Sequence, residues 1–82
     1  MLKSYKIRVN SVKESTKVQE QAFALGYRWG ASKTKIVNTY AEVIYLSHTG
    51  RITYGSYNKF FKFNNLKEIS IGNFINEIYP IY

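Results

Sequence analysis

The stretch Tyr5-Lys6-Ile7-Arg8-Val9-Asn10-Ser11-Val12-Lys13-Glu14, with the run that follows it to Gly26, decides the fold. Apolar and basic residues alternate over positions 5–9. A period of two predicts a half-buried strand with Tyr5, Ile7 and Val9 inward and Lys6 and Arg8 outward. Asn10-Ser11 ends it. Ser11 and Glu14 stand at the spacing of a capping box, in which each side chain satisfies an orphan amide of the first helical turn. Val18, Ala22 and Leu25 then recur at helical spacing, with Phe23 alongside, and predict a helix to about Leu25. Gly26 suits the left-handed residue that closes such a helix.

Downstream the pattern returns to strands. Tyr27-Arg28-Trp29 reads as a short strand, Gly30-Ala31-Ser32-Lys33-Thr34-Lys35 as a flexible basic loop, and Ile36-Val37 as the place where a strand resumes. Glu42-Val43-Ile44-Tyr45-Leu46 and Arg51-Ile52-Thr53-Tyr54 form a hairpin through Ser47-His48-Thr49-Gly50, where Gly50 supplies a positive φ. Gly55-Ser56-Tyr57-Asn58-Lys59 is a loop. Phe60-Phe61-Lys62-Phe63 is apolar on both sides and reads as a strand or as a segment tucked under the sheet. Glu68-Ile69-Ser70-Ile71 reads as a last strand, unless Ser70 caps a short helix over 71–78 with Phe74, Ile75 and Ile78 on one face. Pro80 keeps Tyr79-Pro80-Ile81-Tyr82 from prolonging a helix. The expectation is α+β: a mostly antiparallel sheet of four to five strands in β-α-β-β-β-β order. One long helix packs on one face, and a short C-terminal helix is the variant.

Eighty-two residues make a single domain, and a chain of this size buries only roughly 60% of its unfolded surface. Apolar residues at 45% and aromatics at 17% suffice for a folded core but leave it thin. Eight Tyr dominate the aromatic supply. Tyr combines apolar area with a polar tip, so it serves thin cores and contact surfaces alike. The absence of Cys removes disulfides and thiolate metal sites, and it agrees with a reducing cytoplasm. Met1 to Lys6 lacks an apolar core, so no signal peptide is expected. No apolar run reaches the roughly 18 residues of a membrane span.

The net charge of +7 is unevenly placed. Residues 1–35 carry eight Lys and Arg against two Glu, whereas residues 36–82 carry four against three. Such a field favours an anionic partner. Lys6, Arg8, Arg28, Lys33, Lys35 and Arg51 are the cations expected to meet it, with Tyr27, Tyr54 and Tyr57 as aromatic contacts. Aromatics interleaved with basics, as in Tyr27-Arg28-Trp29 and Phe60-Phe61-Lys62-Phe63, can stack bases while the charges meet phosphates. A small domain also needs large rings as core, and Trp29, Phe61 and Phe63 are expected there.

Catalytic groups are scarce. There is one His, no Asp, and five Glu spread over different elements. Paired-carboxylate hydrolysis and carboxylate-held Mg²⁺ therefore find little support. No metal or cofactor is expected. Residues 30–35 hold one Gly where a phosphate-cradling P-loop needs two with Lys-Ser/Thr directly after the second. A looser anion site from Ser32, Lys33, Thr34 and Lys35 stays open. A metal-independent ribonuclease using Tyr54, Arg51 and Arg28 is the remaining catalytic alternative.

The opening strand, the Ser-capped helix ending in Phe23-Ala24-Leu25-Gly26-Tyr27-Arg28-Trp29, the strand Val43-Ile44-Tyr45-Leu46, the return Gly50-Arg51-Ile52-Thr53-Tyr54 and the late Glu68-Ile69-Ser70 together resemble small accessory proteins of large tailed bacteriophages. The likeness covers about residues 5–71. It implies a phage-encoded factor in the host cytoplasm, monomeric or homodimeric. Such a factor binds a host protein or ribonucleoprotein and modulates or inhibits it, as anti-defence proteins of the anti-CRISPR type do. The alternative partner is single-stranded nucleic acid, and no membrane association is expected.

Overall fold

The computed structural model describes residues 2–63 and 65–76. Four strands, β1 (Tyr5–Arg8), β2 (Val43–Leu46), β3 (Ile52–Gly55) and β4 (Lys67–Glu68), form one sheet in the order β3-β2-β1-β4. Three helices, α1 (Val12–Leu25), α2 (Lys59–Phe63) and α3 (Ile71–Ile75), cover it. The α+β class and the long helix on one face agree with the sequence pattern.

The sheet is mixed rather than mostly antiparallel. β1 pairs antiparallel with β2 and β2 with β3, but β4 runs parallel to β1. The cause lies at the outer edge of β3. There the Arg28 N–H bonds Gly50 O at 2.8 Å and the Ile52 N–H bonds Arg28 O at 2.9 Å. The segment expected as a second strand thus survives as one bridge that occupies this edge. A fourth strand cannot simply meander on there. Instead the chain crosses the sheet through α2 and emerges beyond β1.

The helix α1 forms as its sequence dictates. Ser11 is its N-cap, accepting the Glu14 N–H at 3.1 Å, and the Glu14 carboxylate reaches back to the Asn10 N–H at 2.8 Å. At the other end Gly26 takes φ 112°, with its N–H on Phe23 O at 3.1 Å and the Tyr27 N–H on Ala22 O at 2.9 Å. That pair of bonds is a Schellman motif, which sends the residue after the glycine back onto the helix. Tyr27 is accordingly buried.

The buried stripe of α1 is Ser15, Val18, Gln19 and Ala22, not Val18, Ala22 and Leu25 alone. Leu25 and Phe23 are half-buried at its margin. Gln19 is fully buried and uses its whole amide. Its Nε2 donates to Val37 O at 2.7 Å and to Ser15 Oγ at 3.1 Å. Its Oε1 accepts Trp29 Nε1–H and Val37 N–H, both at 3.1 Å. Val37 therefore does not resume a strand, because a side chain takes both of its backbone groups. An unpaired buried amide would cost about 1–3 kcal/mol, and this one is satisfied throughout.

Two apolar clusters lie on opposite faces of the sheet. Tyr5, Ile7, Ile44, Leu46 and Ile52 face α1 and α3, together with Val18, Trp29 and Phe74. Tyr5 and Phe74 meet edge to face at 6.0 Å. Val43 and Tyr45 face the other way, toward Phe61. Burial raises the Tyr45 phenol above its usual pKa.

Phe60-Phe61-Lys62-Phe63 lies in a helix, not a strand. The Phe61 N–H bonds Asn58 Oδ1 at 3.4 Å and the Lys62 N–H bonds Asn58 O at 3.2 Å, so Asn58 starts that helix. Residues 30–35 open with a 3₁₀ turn, Gly30–Ser32, with Ala31 at φ 63°. The last strand is only Lys67–Glu68, and Ser70 caps α3 through the Asn73 N–H at 3.2 Å. Ile78 and Tyr79-Pro80-Ile81-Tyr82 lie outside the described residues.

Candidate binding surface

The expected contact residues separate into three groups. Lys6 and Tyr27 are inside. Lys6 is 6% exposed, its Nζ donating to Phe61 O and sitting 4.8 Å above the Phe61 ring. The sequence pattern puts Lys6 outward, but α2 covers that face, and the long stem lets the amine meet a helix carbonyl. Tyr27 is 1% exposed and donates its hydroxyl to Lys3 O. Both side chains hold the fold together and neither presents itself to a partner.

Arg28 and Arg51 lie side by side through the Arg28–Arg51 bridge. They border an open depression of about 460 Å³ with Trp29, Ala31 and Gly50. The Arg28 guanidinium is occupied: Nη1 donates to Phe23 O at 2.9 Å and to Tyr27 O at 2.7 Å. A cation there complements the carbonyl end of α1. Arg51 is exposed at the mouth of β3, and Lys33 and Lys35 are exposed on the connection after Trp29.

Arg8, Tyr54 and Tyr57 come together at one end of the sheet, and they bring a residue the sequence reading did not single out. Tyr40 is 74% exposed, Tyr54 45% and Tyr57 37%. Tyr40 stands at the tip of a turn closed by the Ala41 N–H on Asn38 O at 3.1 Å. Asn38 takes φ 55°, a conformation that Asn tolerates better than most residues.

The Tyr40 and Tyr54 rings meet edge to face at 6.0 Å and 76°, and Tyr54 meets Trp29 likewise at 6.1 Å and 70°. The Arg8 guanidinium lies 3.8 Å over the Tyr57 ring, with Lys62 Nζ at 5.8 Å from the same ring. Tyr57 in turn leans on Phe61 at 5.0 Å. A groove of about 360 Å³ runs between Arg8 and Tyr57 on one wall and Tyr40 on the other, with Val12 at its margin. That size falls within the roughly 300–1,000 Å³ of small-ligand pockets. Glu42 lines it too, and its Oε1 is engaged by the Tyr57 N–H at 2.9 Å.

Tyr40 donates to the Tyr54 hydroxyl at 3.4 Å, and that bond holds the Tyr40 phenol above its ordinary pKa. The phenol is therefore neutral at physiological pH and adds no negative charge to the rim. Shielding Trp29 accounts for Tyr54. It does not account for Tyr40, which is 74% exposed and meets Tyr54 edge to face. A solvent-facing aromatic cluster edged with cations is the property of a contact surface.

Tyr54 opens on this rim, whereas Arg28 and Arg51 border the depression beside Trp29. His48 is exposed in the hairpin turn, as the sequence suggests, with its backbone N–H on Ser4 Oγ at 2.8 Å. Among the described residues no three His, Cys, Asp or Glu side chains gather as metal ligands, and no helix is long and apolar enough to cross a membrane. Comparison with protein-family models, with curated proteins and with solved structures returns no match to this chain.

Proposed function

We propose that the chain is a non-catalytic binding module that engages a macromolecule through the rim of Tyr40, Tyr54 and Tyr57 and the cations Arg8 and Lys62. The observation that carries this reading is the exposure of three neighbouring tyrosines, one of them 74% open. Tyr and Arg are the residue types that concentrate binding energy at interfaces, because they offer large area with few rotatable bonds.

The likeness to accessory proteins of tailed bacteriophages is the reason for taking the partner as a host macromolecule in the cytoplasm, and the effect as modulation or inhibition. The scarcity of acid–base groups supports binding over catalysis. Affinity purification from bacterial lysate, with mass spectrometry and nucleic-acid sequencing of what is retained, tests the reading. The wild-type chain retains one reproducible partner, and the Tyr40→Ala/Tyr57→Ala chain loses it. Equal retention by both chains removes the rim from the function. Degradation of RNA by the purified protein would favour the ribonuclease alternative instead.

A further inference from the structure

We infer that the occupant of the tyrosine rim is a single-stranded nucleic acid, with unpaired bases against Tyr40 and Tyr54 and phosphates toward Lys33, Lys62 and the Arg8 guanidinium that lies over Tyr57. This rests on the reading of the rim as the binding face and names its ligand.

Ring arrangement is the first support. Tyr40 meets Tyr54, and Tyr54 meets Trp29, edge to face. Such contacts leave ring faces uncovered, where an offset stack would hide them. Flat faces in solvent are what an unpaired base stacks on, whatever its identity.

Charge is the second. Arg8 and Lys62 stand at the Tyr57 end of the rim. At the other end, the Trp29 N–H to Lys33 O bond at 3.0 Å and its return at 3.3 Å put the Lys33 backbone beside Trp29, the ring that supports Tyr54. Arg8 and Lys62 thus stand at one end of the aromatics, and the backbone of a third lysine at the other, along the path a nucleic-acid backbone crossing the rim would take. Glu42 is the carboxylate in the groove, and its bond to the Tyr57 N–H engages it with the protein's own backbone. It disfavours a phosphate at the groove floor and leaves the Arg8–Lys62 edge as the backbone path.

Shape is the third. Base readout in a duplex needs a helix or ribbon that enters a groove. The exposed elements here are a turn tip and a strand end bearing flat rings, which suit bases already out of the stack.

Fluorescence anisotropy over a salt series tests this. The probe is a labelled single strand of about 15 nucleotides, within the range such modules cover, compared with its own duplex. The expected result is tighter binding of the single strand. Tyr40→Ala weakens it by about tenfold with the salt slope unchanged. Tyr40→Phe, which keeps the ring, binds like wild type. Lys33→Ala/Lys62→Ala lowers the slope of log K against log salt by about 1.4, at about 0.7 per phosphate contact.

Three results overturn the inference: preference for the duplex, a tyrosine variant as tight as wild type (attraction by net charge alone), or no binding at low salt. In each case the lysate experiment still speaks. A protein retained by wild type and lost by Tyr40→Ala/Tyr57→Ala keeps the rim as the binding face with a protein occupant. Unchanged retention removes both. Circular dichroism on each variant separates lost binding from lost folding.

Discussion

On the α1 side of the sheet eleven described residues form one buried cluster, closed by a 14-residue helix and by α3. On the α2 side three do, under a five-residue helix, with a lysine amine drawn in among them. The contrast shows how a chain of 82 residues divides its work. It has apolar side chains for one well-filled face. The second face is thin, half polar, and borders the rim where Arg8 and Tyr57 meet solvent. Stability should therefore concentrate on the α1 side, and recognition at the end of the sheet, where Arg8 and Tyr57 of the thin side meet Tyr54, which rests on Trp29 of the filled cluster.

The largest expected effect is on the filled side. Phe74→Ala should cost about 3–5 kcal/mol in urea unfolding, because a fully buried ring leaves a cavity between Tyr5 of the sheet and the buried face of α1. Phe61→Ala, under the short helix, should cost less, since the thin layer can collapse into the space. Equal losses would break the comparison and make the second face part of the core.

Next is Gln19→Leu, which keeps apolar volume but orphans Trp29 Nε1–H and both backbone groups of Val37. We expect a loss of about 2–3 kcal/mol, and faster amide exchange at Val37. A loss within about 0.5 kcal/mol would mean that the loop to Tyr40 is held by something other than this amide.

The smallest stability effect is expected at the rim. Tyr40→Ala should leave the unfolding free energy within about 0.5 kcal/mol of wild type, as for an exposed residue whose ring contact is another exposed ring. A larger loss would make Tyr40 structural and weaken its assignment to binding.

Much of the filled side is legible in the sequence. The alternation at 5–9, the Ser11–Glu14 cap and Gly26 are local signals, and local physics carries them out. The mixed sheet is not legible, because its cause is the Arg28–Arg51 bridge, a contact between segments far apart in the chain. Lys6 reads as outward because alternation gives the side of the sheet and cannot say whether a later helix covers it. Tyr27 is a missed inference: Gly26 signals a Schellman motif, and an apolar residue after the glycine returns to the helix.

Ser15 and Gln19 also share the stripe of Val18 and Ala22 by spacing, yet polar residues on a buried stripe are easily assigned to the surface. Of the rim, Arg8, Tyr54 and Tyr57 stand out from sequence. Tyr40 does not, since its exposure depends on the turn at Asn38 and on where Gln19 pins the preceding loop.

The most direct test of the division is an NMR titration of the ¹⁵N-labelled chain with an unlabelled single-stranded oligonucleotide. Shifts concentrated at Arg8, Tyr40, Glu42, Tyr54 and Tyr57, with Val18, Ala22 and Phe74 unmoved, are the predicted result. No shifts, or shifts centred on the Arg28–Arg51 depression with the rim silent, would contradict it.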